Sequence, residues 1–210
     1  MPETNSPNFN HDLSLAIQAG GFSARMGQDK ALLPFGGMPL IQHVANRGKA
    51  LTDDIFVTSN QVDALKFLGL PIFPDLLTQR GTLVGMHTAL SAAKRPYVAV
   101  IGCDMPFFSP SLLAYQAHLL KTIGLDAVIP RSIDGLEPLH GVYRREPCLV
   151  AAINALETNI HSLMGWLKHL KMAELDEEQI RTFDSTLQAF VNLNTPDDYH
   201  HALDLAALDP

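Results

Sequence analysis

Short apolar runs alternate with amphipathic stretches along most of the chain. Residues 13–18, L-S-L-A-I-Q, form an apolar run that ends in a glycine-rich stretch, which predicts a strand entering a turn. The same reading predicts strands over 55–59, 71–73, 97–101, 127–129 and 139–143. Between them, 39–51, 61–68, 82–93 and 109–121 carry apolar residues at helical spacing. Ser109 before Pro110 is an N-cap followed by proline at the first helical position. Short strands separated by helices of roughly 10–15 residues predict βαβ units, hence an α/β fold with a mostly parallel sheet. Ligands of such sheets bind beyond the carboxyl ends of the strands. The informative positions therefore lie just after Gln18, Ser59, Phe73 and Ile101.

After the first run comes A-G-G-F-S-A-R-M-G-Q-D-K, residues 19–30. Adjacent Gly20 and Gly21 let the backbone approach a ligand with no Cβ in the way. Consecutive N–H groups in such a turn form an anion-binding concavity, and Arg25 and Lys30 add positive charge. The glycines alone fit a plain tight turn equally well; the two cations favour phosphate. The loop is neither a Walker loop nor G-x-G-x-x-G. Asn60 suits a base or a ribose, and equally a turn. Asp75 suits a ribose hydroxyl or a cap. Gly81 and Gly85 bracket a helix start, whose free N–H groups can meet a base edge or whose glycines can serve close packing. Asp104 closes a buried apolar strand, where a lone carboxylate is unfavourable unless paired or metal-bound. As a hard oxygen ligand at a phosphate site it suits Mg²⁺, against the plainer reading of a turn residue before Pro106.

Composition narrows the classes. The formal charge of −7 argues against a general nucleic-acid surface, so an anionic substrate must meet a local cationic site. Cys103 and Cys148 are far apart and form no C-x-x-C pair, which points away from zinc or a disulfide framework and toward a reducing, cytoplasmic setting. Residues 1–12 lack the apolar core of a signal peptide and read as a loose leader before a single domain over 13–210. No apolar run approaches the roughly 18 residues of a membrane span. The nine histidines form no H-E-x-x-H, and adjacent His200 and His201 on a helix point apart. The acidic stretch 174–178 reads as solvated, and Trp166 with its leucines as core or interface.

Taken in order, residues 19–32, R-G-T-L-V-G-M (80–86), I-G-C-D-M-P (101–106), E-P-L-H-G-V-Y-R (137–144), S-L-M-G-W-L (162–167) and V-N-L-N-T-P-D-D (191–198) resemble the molybdenum cofactor guanylyltransferases. Gln18 is a departure, standing where that family usually has Leu; His140 and Gly141 stand where it varies. The resemblance implies a Rossmann-like three-layer sandwich. It implies that Ala19, Gly20 and Gly21 wrap the phosphates of GTP, with Gln18 contributing backbone, and that Arg25 and Lys30 bind phosphate oxygens. It further implies Asn60 and Asp75 at the nucleoside, Gly81 to Gly85 around guanine, Mg²⁺ on Asp104, and Asn192 and Asn194 near the metal or the pterin phosphate. Arg25, Lys30 and Asp104 would be the catalytic set.

The implied reaction is attack by the terminal phosphate of molybdopterin on the α-phosphorus of GTP, with pyrophosphate leaving. That phosphate is ionised near neutral pH, so no general base is required. Three rival readings stand beside this one: a cytidylyltransferase or sugar-phosphate nucleotidyltransferase of the same fold, a non-catalytic nucleotide-binding protein, and an added delivery role toward an acceptor molybdoenzyme. The Ala-Gly-Gly and Asn-x-Asn-Thr-Pro segments favour the guanylyl branch; the presence of Lys30 and Asp104 favours catalysis.

Overall fold

A computed structural model describes residues 11–20, 29–79 and 81–208. The chain runs β1 (Leu13–Gln18), β2 (Pro34–Phe35), β3 (Met38–Pro39), α1 (Leu40–Gly48), β4 (Asp54–Thr58), α2 (Val62–Leu65), β5 (Ile72–Phe73) and α3 (Thr82–Ala92). It continues β6 (Tyr97–Gly102), α4 (Pro110–Ile123), β7 (Ala127–Ser132), β8 (Gly135–Leu136), β9 (His140–Arg144) and α5 (Arg145–Glu157). The last elements are α6 (Leu163–Leu167), β10 (Met172–Leu175), α7 (Glu177–Arg181) and α8 (Pro196–Leu208). The main sheet has the order β10-β7-β9-β6-β1-β4-β5. β1 lies parallel to both β4 and β6, β4 to β5, and β7 to β10. β9 runs antiparallel between β6 and β7.

Period-two alternation sorts each central strand between two cores. Leu13, Leu15 and Ile17 of β1 pack with α1 and α4 on one face. Ala16 of β1, with Phe56, Val98 and Val100 beside it, packs with α3 and α5 on the other. The result is helix–sheet–helix, a three-layer sandwich. Trp166 is fully buried in the α3 and α5 layer, against Tyr143. Among the described residues, no helix is long and apolar enough to cross a membrane.

Three elements depart from the sequence pattern. The helix expected over 61–68 is one α-turn and a 3₁₀ turn, Lys66–Leu68, stopped by left-handed Gly69. Only Leu65 of it is buried, so little packing sustains a longer helix. In the acidic stretch 174–178 the four carboxylates are exposed as read, but Leu175 among them is buried in the edge strand β10, and Asp176 forms a capping box with Gln179 at the start of α7. The backbone at Gly36 and Gly37, both at positive φ, turns β2 into β3 as a tight hairpin.

Candidate active site

From β1 the chain moves outward to β4 and β5, then returns to β6 on the other side of β1. The strand order therefore reverses beside β1, where a doubly wound sheet opens a crevice. The register sets Gln18 between Thr58 of β4 and Gly102 of β6, so three strands end level. Beyond these ends lies a cleft of about 1040 Å³, bounded on the far side by the first turn of α3.

Two hydrogen bonds seal the end of β1. Ala19 N–H donates to the Thr58 carbonyl at 2.9 Å, and Cys103 N–H donates to the Gln18 carbonyl at 2.9 Å. Among the described residues, nothing lies within 4 Å of where a Gly20 Cβ would stand. Gly21 and Arg25 lie outside the described residues.

Asp29 caps the 3₁₀ turn Lys30–Leu32 by accepting from Ala31 N–H, which sends Lys30 inward. The Lys30 ammonium donates to Asp104 Oδ2 at 3.2 Å and to Asn194 Oδ1 at 2.8 Å. Asp104 owes its place to Gly102: a Cβ there would stand 2.5 Å from its Oδ1. Asn194 is placed from the opposite end of the chain. Thr195 and Asp198 form a reciprocal cap at the start of α8, Asp198 N–H to Thr195 Oγ1 at 3.1 Å and Thr195 N–H to Asp198 Oδ2 at 2.8 Å. The same carboxylate accepts from Asn194 N–H at 3.0 Å. Burial pushes the Asp198 carboxyl up, but its bonds from Thr195 and Asn194 outweigh this and leave it below the ordinary value. Leu193 N–H then donates to the Asp104 carbonyl at 3.0 Å, tying this segment to the end of β6. Asn192 turns away; its amide donates to the Phe190 carbonyl, and it is not among the residues lining the cleft.

On the other flank, Asn60 and Asp75 hold each other. Asn60 Nδ2 donates to Asp75 Oδ2 at 2.8 Å, and Asp75 N–H donates to Asn60 Oδ1 at 2.9 Å. Both line the cleft. Gly81 precedes α3 at φ 150°, and a Cβ there would strike the His161 carbonyl at 2.6 Å. That carbonyl accepts from Leu83 N–H at 3.0 Å, fixing the first turn of α3 from a loop eighty residues away. Among the described residues no side chain caps this terminus, and Gly81, Thr82 and Gly85 line the cleft.

The chemistry on offer is a fixed cation, one carboxylate and several amides at a strand-end crevice. Burial, and then the neighbouring Asp104, push the Cys103 thiol well above its ordinary value, so it stays protonated rather than nucleophilic. Among the described residues no group of three or more His, Cys, Asp or Glu is placed to hold a metal. The oxygens of Asp104 and Asn194 nonetheless converge on one cationic head, that of Lys30.

The family model described as the MobA-like NTP transferase domain matches residues 15–175, which span β1 to β10 and most of the cleft. The chain belongs to the MobA-like NTP transferase family. A probable molybdenum cofactor guanylyltransferase of Natronomonas pharaonis is 35% identical over 193 residues, 89% of this chain and 94% of that protein. A molybdenum cofactor guanylyltransferase of Syntrophotalea carbinolica is also 35% identical, over 89% of this chain and 88% of its own length. Among solved structures, molybdopterin-guanine dinucleotide biosynthesis protein A from Archaeoglobus fulgidus superposes with a TM-score of 0.81 at 26% identity, covering 93% of this chain and 99% of that one.

Of the site residues read from the sequence of this MobA-like domain, Gln18, Ala19, Gly20, Lys30, Asn60, Asp75, Gly81, Gly85, Asp104 and Asn194 all line one cleft. Thr58, Gly102 and the segment Leu77–Gln79 join them without having been singled out. The register partners Thr58 and Gly102 carry no chemical signature of their own. Asp198 did have a legible signal, the Thr-Pro-Asp-Asp capping pattern at 195–198.

Proposed function

We propose that the chain transfers GMP from GTP to the terminal phosphate of molybdopterin and releases pyrophosphate. The observation that carries this is the meeting of Lys30, Asp104 and Asn194 beside the Ala19–Gly20 turn, in a cleft of about 1040 Å³. The names borne by relatives along nearly the whole chain supply the base and the acceptor.

In this reading the acceptor's phosphate oxygen forms a bond to the α-phosphorus. The bond from that phosphorus to the bridging oxygen breaks, and pyrophosphate leaves with the electron pair. Lys30 donates to phosphate oxygens as their charge grows, and Arg25 adds a second cation from the turn. Positioning and charge neutralisation suffice, because the nucleophile is already ionised. Asp104, with Asn194 beside it, fits Mg²⁺, which takes one or two carboxylates and completes its shell with phosphate oxygens and water. When bound, the metal supplies further positive charge to the triphosphate. Asn60 and Asp75 hold the ribose, and the Gly81 to Gly85 turn the base. The two free thiols suit the cytoplasm, from which the product passes to an acceptor molybdoenzyme.

Thermal unfolding with GTP, CTP, UTP or ATP, each with and without Mg²⁺, tests the assignment. A ligand at about 100 times its Kd stabilises by roughly 2.7 kcal/mol. The expected result is a Tm rise with GTP and Mg²⁺ beyond that with the other nucleotides. A larger rise with CTP reassigns the chain to cytidylyl transfer; no rise with any nucleotide overturns the reading. Asp104→Ala is expected to abolish both transfer and its dependence on Mg²⁺, and a variant with full Mg²⁺-stimulated turnover removes Asp104 from the site.

A further inference from the structure

The last residue of β1 offers the cleft a side chain rather than a backbone group. The Gln18 carbonyl is already engaged by Cys103 N–H, and the next N–H along the chain, that of Ala19, by the Thr58 carbonyl. The alternation of β1 puts Leu13, Leu15 and Ile17 in the α1 and α4 core, so Gln18 shares the opposite face with Ala16 and reaches toward α3. Its surroundings are small on three sides. Thr58 and Gly102 are its register partners, and across the cleft stands Gly85, where a Cβ would come within 3.2 Å of Gln18 Oε1. Gly85 therefore leaves room for the amide against the first turn of α3.

Within this slot Gln18 Nε2 is shielded from solvent and has no hydrogen-bond partner among the described residues. A shielded donor without an acceptor is unfavourable, and an apolar side chain of the same length would carry no such penalty. An amide at this position gains only when an acceptor enters. Gln18 lines the cleft, and its terminal torsion is soft, so the nitrogen can turn from its resting place to meet a ligand.

We propose that Gln18 is a specificity-determining residue, whose Nε2 donates to the 6-oxo oxygen of the nucleobase. The slot lies between the end of β1 and the first turn of α3, with the Asp104 carboxylate over Gly102 on one side and Gly85 on the other, and the Gly81 to Gly85 side is the one the guanylyl reading gives to the base. A 6-oxo purine presents an acceptor to the amide nitrogen. A 6-amino purine presents a donor, which meets Nε2 donor to donor as the amide is set here and pairs with Gln18 only when the amide turns Oε1 away from Gly85. The inference rests on the guanylyl reading of the cleft and adds to it the group that reads the base.

The test compares wild type, Gln18→Leu and Gln18→Glu by calorimetric Kd for GTP, ITP and the triphosphate of 2-aminopurine riboside. Gln18→Leu is apolar, one bond shorter, and removes the donor; Gln18→Glu keeps the length and polarity and removes the donor. Both variants are expected to bind GTP and ITP about tenfold more weakly. Both are expected to bind the 2-aminopurine nucleotide, which lacks the oxygen, within about twofold of wild type. The Tm of nucleotide-free Gln18→Leu is expected not to fall, since no resting bond is lost. A Gln18→Leu protein that keeps the wild-type preference for GTP over the 2-aminopurine nucleotide overturns the role of Gln18 alone. Wild type that fails to prefer GTP to CTP and ATP overturns the guanylyl reading itself, before any variant is compared.

Discussion

Lys30 lies between a carboxylate and an amide, and these two partners do different work. Asp104 offers the ammonium a carboxylate at 3.2 Å, whereas Asn194 holds it by a 2.8 Å bond, and both line the cleft. Lys30→Ala removes a cation aimed at developing negative charge, and turnover at saturating GTP is expected to fall by about 10²–10³. Asn194→Ala leaves the cation in place but loosens it, so its effect is expected to be smaller. If Asn194 acts through Lys30, the double variant turns over no more slowly than Lys30→Ala alone. Multiplying effects in that steady-state comparison would give Asn194 an independent part, at the metal or at the pterin phosphate.

The reciprocal cap of α8 shows how an element far along the chain builds the site. Asp198 accepts from both Thr195 and Asn194 N–H groups, so one carboxylate starts the helix and fixes the residue that faces Lys30. Asp198→Ala is expected to lower stability in urea by about 1 kcal/mol and to lower kcat as Asn194 loosens. Asp198→Asn keeps an acceptor oxygen and is expected to retain most of both; equal losses in the two variants would show that the cap does not position Asn194. Elements of this kind were legible where a local signal existed. Ser109 before Pro110 starts α4 as its pattern predicts, and the mainly apolar run of β1 and the uninterrupted one of β6 are the central strands. What depended on distant partners was not legible. Gly81 is required by the His161 carbonyl, eighty residues on, and Gly102 by the side chain of Asp104; neither contact leaves a periodicity. The short helix over 62–65 failed as a longer prediction because one buried leucine cannot sustain it. The bond from Cys103 N–H to the Gln18 carbonyl is likewise a pairing across strands that a sequence does not reveal.

Across the whole molecule, one buried histidine joins the sheet, a helix and the approach to Asn194. His140 opens β9, the strand that reverses the sheet, opposite Ile101 of β6. Its Nε2 accepts from Ser109 N–H at the cap of α4, its carbonyl accepts from Gln116 of the same helix, and its ring meets Phe190 edge-on. The accepting nitrogen must be unprotonated, and complete burial holds the ring neutral, with its pKa lowered to about 4 from the ordinary 6.5. Folding thus favours the neutral form. Between pH 6.5 and 4 the unfolded chain binds a proton that the folded chain refuses, so stability is lost as pH falls through that window and levels off below it. The depression corresponds to about 3 kcal/mol in the limit of low pH. His140→Leu removes this titration, and it also strands the Ser109 N–H, at a cost of about 1–3 kcal/mol near neutral pH. Urea midpoints measured from pH 7.5 to 4 are therefore expected to converge: the variant starts lower and falls less steeply, because the carboxylates common to both proteins titrate alike. Parallel curves would mean that His140 takes up its proton without disturbing the cap of α4, and that the link between sheet and helix does not run through its Nε2.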